Sequence, residues 1–277
     1  GGIIILKKII ALCLLLTCSF TFSVHAVESQ WGRISTDTWK EINGIDSRFK
    51  SPKSLLEEVD YYVENISSYL NLPNWYKDNN LRKTNKIKIS ATDEGTRVSR
   101  GYVLELKINK RIFNKGYAPL AHELTHIIAN GTLLSYTEGL AYYMQEKFGR
   151  NISYINFGAP IHPLAKEFIE KSNKDFIEKV IKSQLDFNTI EEWRNYLILG
   201  QSFVKYLIEE YGIEKFMTFA KAVYVNQACE EVYNKSLDNV EEEWLKFLEG
   251  VEPFEYTYKE WVNKKVGKDF AKGFLYK

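Results

Sequence analysis

Cysteine, histidine and proline are scarce in this chain of 277 residues, which contains 3 Cys, 4 His and 6 Pro. So few cysteines argue against a disulfide framework and against a cysteine-rich metal site. A surplus of charge is also lacking, because 37 Lys and Arg face 36 Asp and Glu for a net charge of +1. Such a balance argues against a nucleic-acid partner. What is present, 45% hydrophobic and 14% aromatic residues, is typical of a folded globular protein.

Residues 1–26 have the features of a secretory signal peptide: two lysines, the apolar run 9–16 and the small-residue site Val24-His25-Ala26. The run is shorter than the roughly 20 apolar residues that a membrane span needs. An uncleaved N-terminal anchor helix and a lipoprotein signal ending at Cys18 are the alternatives. We therefore expect the protein to be secreted or otherwise extracytoplasmic.

Removal of this segment makes two of the scarcities more pronounced. Two of the 3 Cys and one of the 4 His lie within it, so Cys229 would remain alone with no intramolecular partner. Cys229 falls in a helical pattern and is expected to be a small, buried, apolar side chain. The three histidines that remain are His122, His126 and His162.

The hydrophobic pattern predicts an α+β fold in which a small mixed sheet precedes a mainly helical body. Apolar residues at helical spacing predict a helix over 54–70, and alternating residues predict strands near 87–91 and 102–108. Residues 27–50 show no sustained period and are expected to wrap the surface. From residue 118 onward nearly everything reads as helix, with breaks expected at Asn130-Gly131, Gly149-Arg150, Pro160, Pro163, Gly212 and Gly250.

The segment His122-Glu123-Leu124-Thr125-His126 is an H-E-x-x-H sequence. On a helix, the two histidines four residues apart lie on one face and can bind the same metal ion. Glu123 lies about 100° further round the helix, where it can accept a proton from metal-bound water. Zn²⁺ suits imidazole ligands and this chemistry best. The strand just upstream is expected to supply a substrate-binding edge.

A catalytic zinc ion usually has a third protein ligand. The extended motif H-E-x-x-H-x-x-G-x-x-H is excluded, because Ala129 and Thr132 stand where it needs Gly and His. Glu138 follows near the start of the next predicted helix, which a short turn can fold back against the first. A carboxylate there can reach the histidine face, and two histidines with one glutamate form a known zinc ligand set.

His-Glu-Leu-Thr-His followed by Glu-Gly-Leu-Ala-Tyr-Tyr at 138–143 resembles the gluzincin metallopeptidases, in particular the peptidase MA-like group. The resemblance implies a zincin-like fold with an active-site helix and one catalytic Zn²⁺ held by His122, His126 and Glu138. It also implies that Glu123 is the general base that activates a zinc-bound water to hydrolyse peptide bonds. The resemblance covers roughly residues 86–250, including the segments 200–212 and 241–248.

This resemblance divides the chain beyond the signal peptide into three parts. Residues 27–85 would be a mainly helical N-terminal region and residues 86–250 the zincin-like metallopeptidase domain. Residues 251–277 would be an aromatic and basic helical extension, either a docked terminal helix or an attachment to a cell-wall or membrane surface.

The residue that would stabilise the oxyanion in this family is not clearly identified in the sequence. Aminopeptidase-type gluzincins stabilise the oxyanion with a tyrosine three residues before a glycine, but Leu197 has that spacing from Gly200. Tyr196, one residue earlier, is the candidate catalytic residue, with His162 and Tyr224 as alternatives. Tyr196 is equally well interpreted as a core residue.

The sequence thus predicts a secreted zinc metallopeptidase acting on a peptide or protein substrate, with no nucleic-acid partner. Attachment to a membrane or cell surface through the N-terminus is compatible with this function. The alternative function is a binding or structural module on the same fold, with zinc retained and weak or absent catalysis.

Overall fold

A computed structural model describes residues 25–43, 48–78, 86–100, 103–129, 131, 133–184 and 187–275. These residues form an α+β fold with a small mixed sheet and a mainly helical body, as the sequence predicts. The predicted signal peptide lies outside them except for its last two residues, His25 and Ala26.

The sheet has five strands in the order β1-β2-β3-β5-β4. Their bounds are β1 Ala26–Glu28, β2 Gly32–Ser35, β3 Ile87–Thr92, β4 Arg97–Arg100 and β5 Leu104–Asn109. Strands β2, β3 and β5 run parallel to one another, while β1 and β4 are antiparallel to their neighbours. The predicted alternation in β3 and β5 is confirmed, because Ile87, Ile89, Leu104, Leu106 and Ile108 are all buried.

Two sequence-based expectations about the sheet are wrong. Residues 27–50 do not merely wrap the surface, because β1 and β2 lie within them and extend the sheet. These strands are too short for a period to be visible, and β2 is formed by pairing with β3 far along the chain. Strand β5, which was expected to supply the free edge, lies between β3 and β4, so β4 is the edge strand.

Among the residues described, three helices lie between β2 and β3, one short helix follows β5, and the other helices form the body. Their bounds are α1 Thr36–Ile42, α2 Pro52–Tyr69, α3 Trp75–Asp78, α4 Lys110–Asn114, α5 Leu120–Ile128, α6 Leu134–Phe148, α7 Ile161–Lys171, α8 Lys174–Ile181, α9 Ile190–Tyr211, α10 Ile213–Phe219, α11 Val225–Tyr233, α12 Leu237–Glu249, α13 Tyr258–Val266 and α14 Lys268–Leu275.

The predicted helix over 54–70 is confirmed as α2. Ser51 and Ser54 form a reciprocal capping box around Pro52, which fixes where the helix begins. The predicted apolar face of α2 is buried in the core.

Most predicted helix breaks are confirmed, but Pro163 is not a break. It lies in the first turn of α7, where a backbone N–H has no partner within the helix, so the loss of that donor costs little. Cys229 is a free and fully buried side chain in α11, as predicted.

Within the described ranges, no helix has both the length and the apolar character needed to cross a membrane.

Candidate metal centre

Helix α5, which carries the H-E-x-x-H sequence, begins after Pro119 without a side-chain cap of its own. Its first turn is capped from another helix instead, because Oε1 of Gln145 on α6 accepts a hydrogen bond from the backbone N–H of His122 at 3.2 Å. Gln145 also donates toward Asn151, whose side-chain amide donates to the carbonyls of Gly116 and Ala118. Hydrogen bonds therefore connect the start of α5 to α6 and to the loop that follows α6.

Helix α6 carries Glu138 and packs closely on α9. A Cβ atom added at Gly139 would lie 2.7 Å from the carbonyl oxygen of Gly200 and 2.6 Å from a methyl group of Val204. Only glycine allows this approach. Packing therefore explains why a glycine follows Glu138: Gly139 faces α9, while Glu138 faces α5.

His122, His126 and Glu138, called here the metal cluster, are brought together as the sequence predicts. The Nε2 atoms of the two histidines lie 3.1 Å apart. Glu138 approaches them with Oε2 at 3.4 Å from His122 and Oε1 at 3.3 Å from His126. Two imidazole nitrogens and one carboxylate thus point at a common centre, and this group can hold a metal ion.

The spacing of these donor atoms fits a tetrahedral zinc site. Metal–ligand bonds of about 2.0–2.2 Å in a tetrahedron separate neighbouring ligands by about 3.3–3.6 Å. The three observed distances, 3.1, 3.3 and 3.4 Å, lie close to that range. His122 is held by packing, since its ring centroid lies 4.2 Å from that of Tyr142 and its buried Nδ1 has no hydrogen-bond partner among the described residues.

The electrostatic environment also suits a cation. Burial lowers the pKa of His122 below its ordinary value despite the nearby Glu138, so the imidazole stays neutral and keeps a lone pair for a metal. Burial alone would raise the pKa of Glu138, but hydrogen bonds with His122 and His126 outweigh it and hold that pKa well below its ordinary value. Glu138 is therefore ionised.

Glu123 lies next to the metal cluster but takes no part in it. Its side chain is buried and makes no hydrogen bond or ion pair with any other described residue. Burial, followed by the negative charge of Glu138, raises the pKa of Glu123 well above its ordinary value. A carboxylate with a raised pKa binds a proton more readily, so it is suited to accept and return one.

The metal cluster and Glu123 line a cavity of about 770 Å³. The helices α5 and α6 form its floor, and Arg97 and Val98 of the edge strand β4 border it. Its walls are rich in aromatic side chains, namely Tyr117, Tyr142, Tyr154, Phe157 and Trp193. This volume is within the range of small-molecule and peptide-binding pockets.

Tyr196 is not brought to this cavity. It is fully buried in the core, where its ring stacks 5.9 Å from Trp193 and meets Phe187 edge-on at 4.7 Å. Its hydroxyl lies 3.5 Å from Ser183. Leu197, which has the family spacing, is also buried and does not line the cavity.

The two alternatives to Tyr196 lie outside the cavity as well. His162 is in the first turn of α7 with its Nδ1 2.9 Å from Ser202, and Tyr224 is 73% exposed before α11. The hydroxyl-bearing residues that do line the cavity are Tyr117, Tyr142 and Tyr154, with Thr96 and Thr137.

Sequence reasoning missed these tyrosines and Gln145. Tyr142 and Gln145 had a usable signal, since they lie four and seven residues after Glu138 on the same face of α6. Tyr154 had none, because it is in an irregular loop.

Comparison of the chain with family models, with curated proteins and with solved structures finds no match in any of the three.

Proposed function

We propose that the protein is a secreted zinc-dependent metallopeptidase with a zincin-like fold. The observation that carries the proposal is the metal cluster, whose three donor atoms converge at the floor of a cavity that also holds the buried Glu123. Secretion rests on the signal-peptide pattern of residues 1–26. The resemblance to gluzincins rests on the motif at 122–126 with Glu138.

His122, His126 and Glu138 would hold the ion. A bound zinc ion supplies Lewis-acid polarisation and makes water nucleophilic near neutral pH. Glu123 accepts the proton of the attacking water and returns it to the amine nitrogen that leaves when the peptide bond breaks. Tyr142 keeps the ring of His122 in place.

The edge strand β4 is suited to bind the substrate backbone. In the described residues it pairs only with β5, and its outer side borders the cavity through Arg97 and Val98. An extended peptide can add to such an edge through backbone hydrogen bonds. That arrangement would place a peptide bond over the metal cluster.

We expect Glu123→Gln to keep bound zinc but to lower hydrolysis of a mixed peptide library by a factor of about 100 to 10,000, because the proton acceptor is lost. His126→Ala should lose zinc, measured by elemental analysis after dialysis. Glu214→Gln, at an exposed position at the start of α10, is the matched control and should behave like wild type. Full turnover by Glu123→Gln would disprove its role, and full zinc content in His126→Ala would disprove the ligand set.

The second candidate function is a binding module that holds zinc without catalysis. The observation that favours it is that neither Tyr196 nor Leu197, the residue at the family spacing, lines the cavity, so the family position for oxyanion stabilisation is not filled. A peptide-library digest with and without a chelator separates the two functions. A binding module gives identical profiles, whereas a peptidase loses its products when the metal is removed.

A further inference from the structure

The C-terminal helices α13 and α14 dock behind one wall of the cavity. That wall is formed by residues 153–158, called here the cavity loop, together with Tyr117. Tyr154 and Phe157 of the cavity loop line the cavity, whereas the backbone carbonyls of Ile155 and Phe157 are bonded to α13. The loop thus has substrate on one side and the C-terminal segment on the other.

Two side chains of α13 anchor the cavity loop. The hydroxyl of Tyr258, a buried residue, donates to the carbonyl oxygen of Ile155 at 2.8 Å. The indole N–H of Trp261 donates to the carbonyl oxygen of Phe157 at 3.2 Å. Ile155 is fully buried, so no solvent can replace the Tyr258 hydroxyl at its carbonyl oxygen.

The backbone of the cavity loop needs such anchoring. Phe157 has a φ of +48°, in the left-handed region that a bulky side chain rarely adopts. Residues in such conformations persist only where their surroundings hold them. The Trp261 bond acts on this same residue, so α13 holds the aromatic ring of Phe157 against the cavity.

Helix α14 supports the other part of the wall. The ring centroid of Phe270 lies 5.1 Å from that of Tyr117, and the guanidinium of Arg111 covers Phe270 at 5.0 Å. Tyr117 meets Phe157 edge-on at 6.3 Å, and Phe157 meets Tyr154 edge-on at 6.0 Å. The wall is therefore one connected aromatic surface backed by the C-terminal helices.

We propose that Tyr117, Tyr154 and Phe157 form a subsite for a large apolar side chain of the peptide substrate, and that Tyr258 and Trp261 are the positioning residues that hold it. The proposal rests on the proposed function, since it names the substrate side chain that binds beside the metal cluster. The wall carries no charged side chain, whereas the nearby charges of the cavity belong to Glu123, Glu138 and Arg97. An anionic substrate side chain would lose its hydration at this wall without gaining a partner there.

The test measures peptide binding rather than turnover. Two blocked pentapeptides, with Phe or Ala at the centre of four glycines, are titrated into zinc-loaded Glu123→Gln protein. Burial of the larger side chain should make the Phe peptide bind about tenfold tighter or more. Equal affinity for the two peptides, or no binding of either, overturns the subsite.

A matched pair of substitutions tests the positioning residues in the same Glu123→Gln background. Tyr258→Phe removes only the hydroxyl that bonds Ile155, and should lower the Phe-to-Ala preference about threefold or more with zinc content unchanged. Tyr256→Phe makes the same chemical change two residues away, where the hydroxyl accepts a hydrogen bond from the exposed Lys264, and should leave the preference intact. The same preference in both variants, or a loss of zinc in Tyr258→Phe, overturns the positioning role.

Hydrolysis of the two peptides by wild type, measured alongside, separates this proposal from the proposed function. Phe-selective binding without chelator-sensitive hydrolysis overturns the peptidase function and supports the subsite. Chelator-sensitive hydrolysis of both peptides at equal efficiency supports the peptidase function and overturns the subsite.

Discussion

His162 is the third histidine beyond the predicted signal peptide, and at the scale of single residues its surroundings are unlike those of the metal cluster. Its Nδ1 lies 2.9 Å from the fully buried Ser202, which also accepts a hydrogen bond from the indole N–H of Trp244 at 3.2 Å. Its Nε2 is 3.7 Å from Glu209, too far for a hydrogen bond. Ser202 has no access to solvent, so this group is part of the core and has no nucleophilic role.

We expect His162 to make the fold less stable in mild acid. Burial, assisted by the charge of Lys205, lowers the pKa of His162 from 6.5 to about 4. Between pH 6.5 and about 4, this histidine is therefore protonated in the unfolded chain but neutral in the folded chain. The contribution to stability is complete above pH 6.5, falls as the pH falls toward 4, and changes no further below it.

The measurement compares wild type with His162→Gln by urea unfolding at pH 7 and pH 5. Between these values wild type should lose about 2 kcal/mol more than the variant, because only wild type carries this histidine. Both proteins contain the metal cluster, so its contribution to the pH dependence of unfolding is the same in each and drops out of the comparison. Parallel losses in the two proteins would contradict the expectation.

Gln145 is a second residue whose role comes from its hydrogen bonds. It supplies the acceptor for the N–H of His122 and so links the helices that carry the metal cluster. Gln145→Leu should destabilise the fold by about 1–3 kcal/mol, since a buried N–H loses its partner. It should also weaken zinc binding, because α5 and α6 lose the bond that sets their relative position.

Gln227→Leu on the exposed side of α11 is the control for Gln145→Leu. It should change the free energy of unfolding by less than about 0.5 kcal/mol. Zinc titration of both variants shows whether Gln145 affects zinc binding. Unchanged zinc affinity in Gln145→Leu would limit Gln145 to a role in stability.

At the scale of secondary-structure elements, the crossing of α6 and α9 places Glu138. Gly139→Ala would put a methyl group 2.7 Å from a backbone oxygen of α9, so the helices must separate. We expect a loss of about 1–3 kcal/mol in the free energy of unfolding. Zinc affinity should fall too, because Glu138 is the neighbouring residue on the helix that moves.

Gly250→Ala provides the matched control for this helix crossing. Gly250 has a φ of −77°, and an added Cβ atom would be 3.5 Å from its nearest neighbour, an ordinary contact. Urea unfolding and zinc titration should show little change. Equal behaviour of the two alanine variants would show that the crossing tolerates a methyl group and does not control Glu138.

The hydrophobic pattern of the sequence predicts some helices and strands but not others. Helices α2, α5 and α6 are visible because their apolar residues repeat within each helix. Strands β1, β2 and β4 have three or four residues each, too few to show a period. They exist because backbone pairing with distant strands satisfies their hydrogen bonds, and such pairing leaves no local signal.

At the scale of the whole molecule, the cavity combines distant parts of the chain. Strand β4 borders it, α5 and α6 form its floor, Trp193 comes from α9, α13 supports the cavity loop and α14 supports Tyr117. The C-terminal segment is therefore docked on the body, which agrees with one of the two interpretations made from the sequence.

The sequence by itself determined the pairing of His122 and His126, because their spacing on one helix is a local property, and it identified Glu138 as the candidate third ligand, whose approach to them depends on the packing of α6. It also determined the α+β class and the buried state of Cys229. Only the tertiary structure decided which aromatic side chains reach the cavity, why Tyr196 does not, and that Tyr258 and Trp261 hold its wall. The physical reason is that ligand spacing follows from the geometry of one helix turn, whereas the shape of a cavity follows from packing between elements that are remote in the chain.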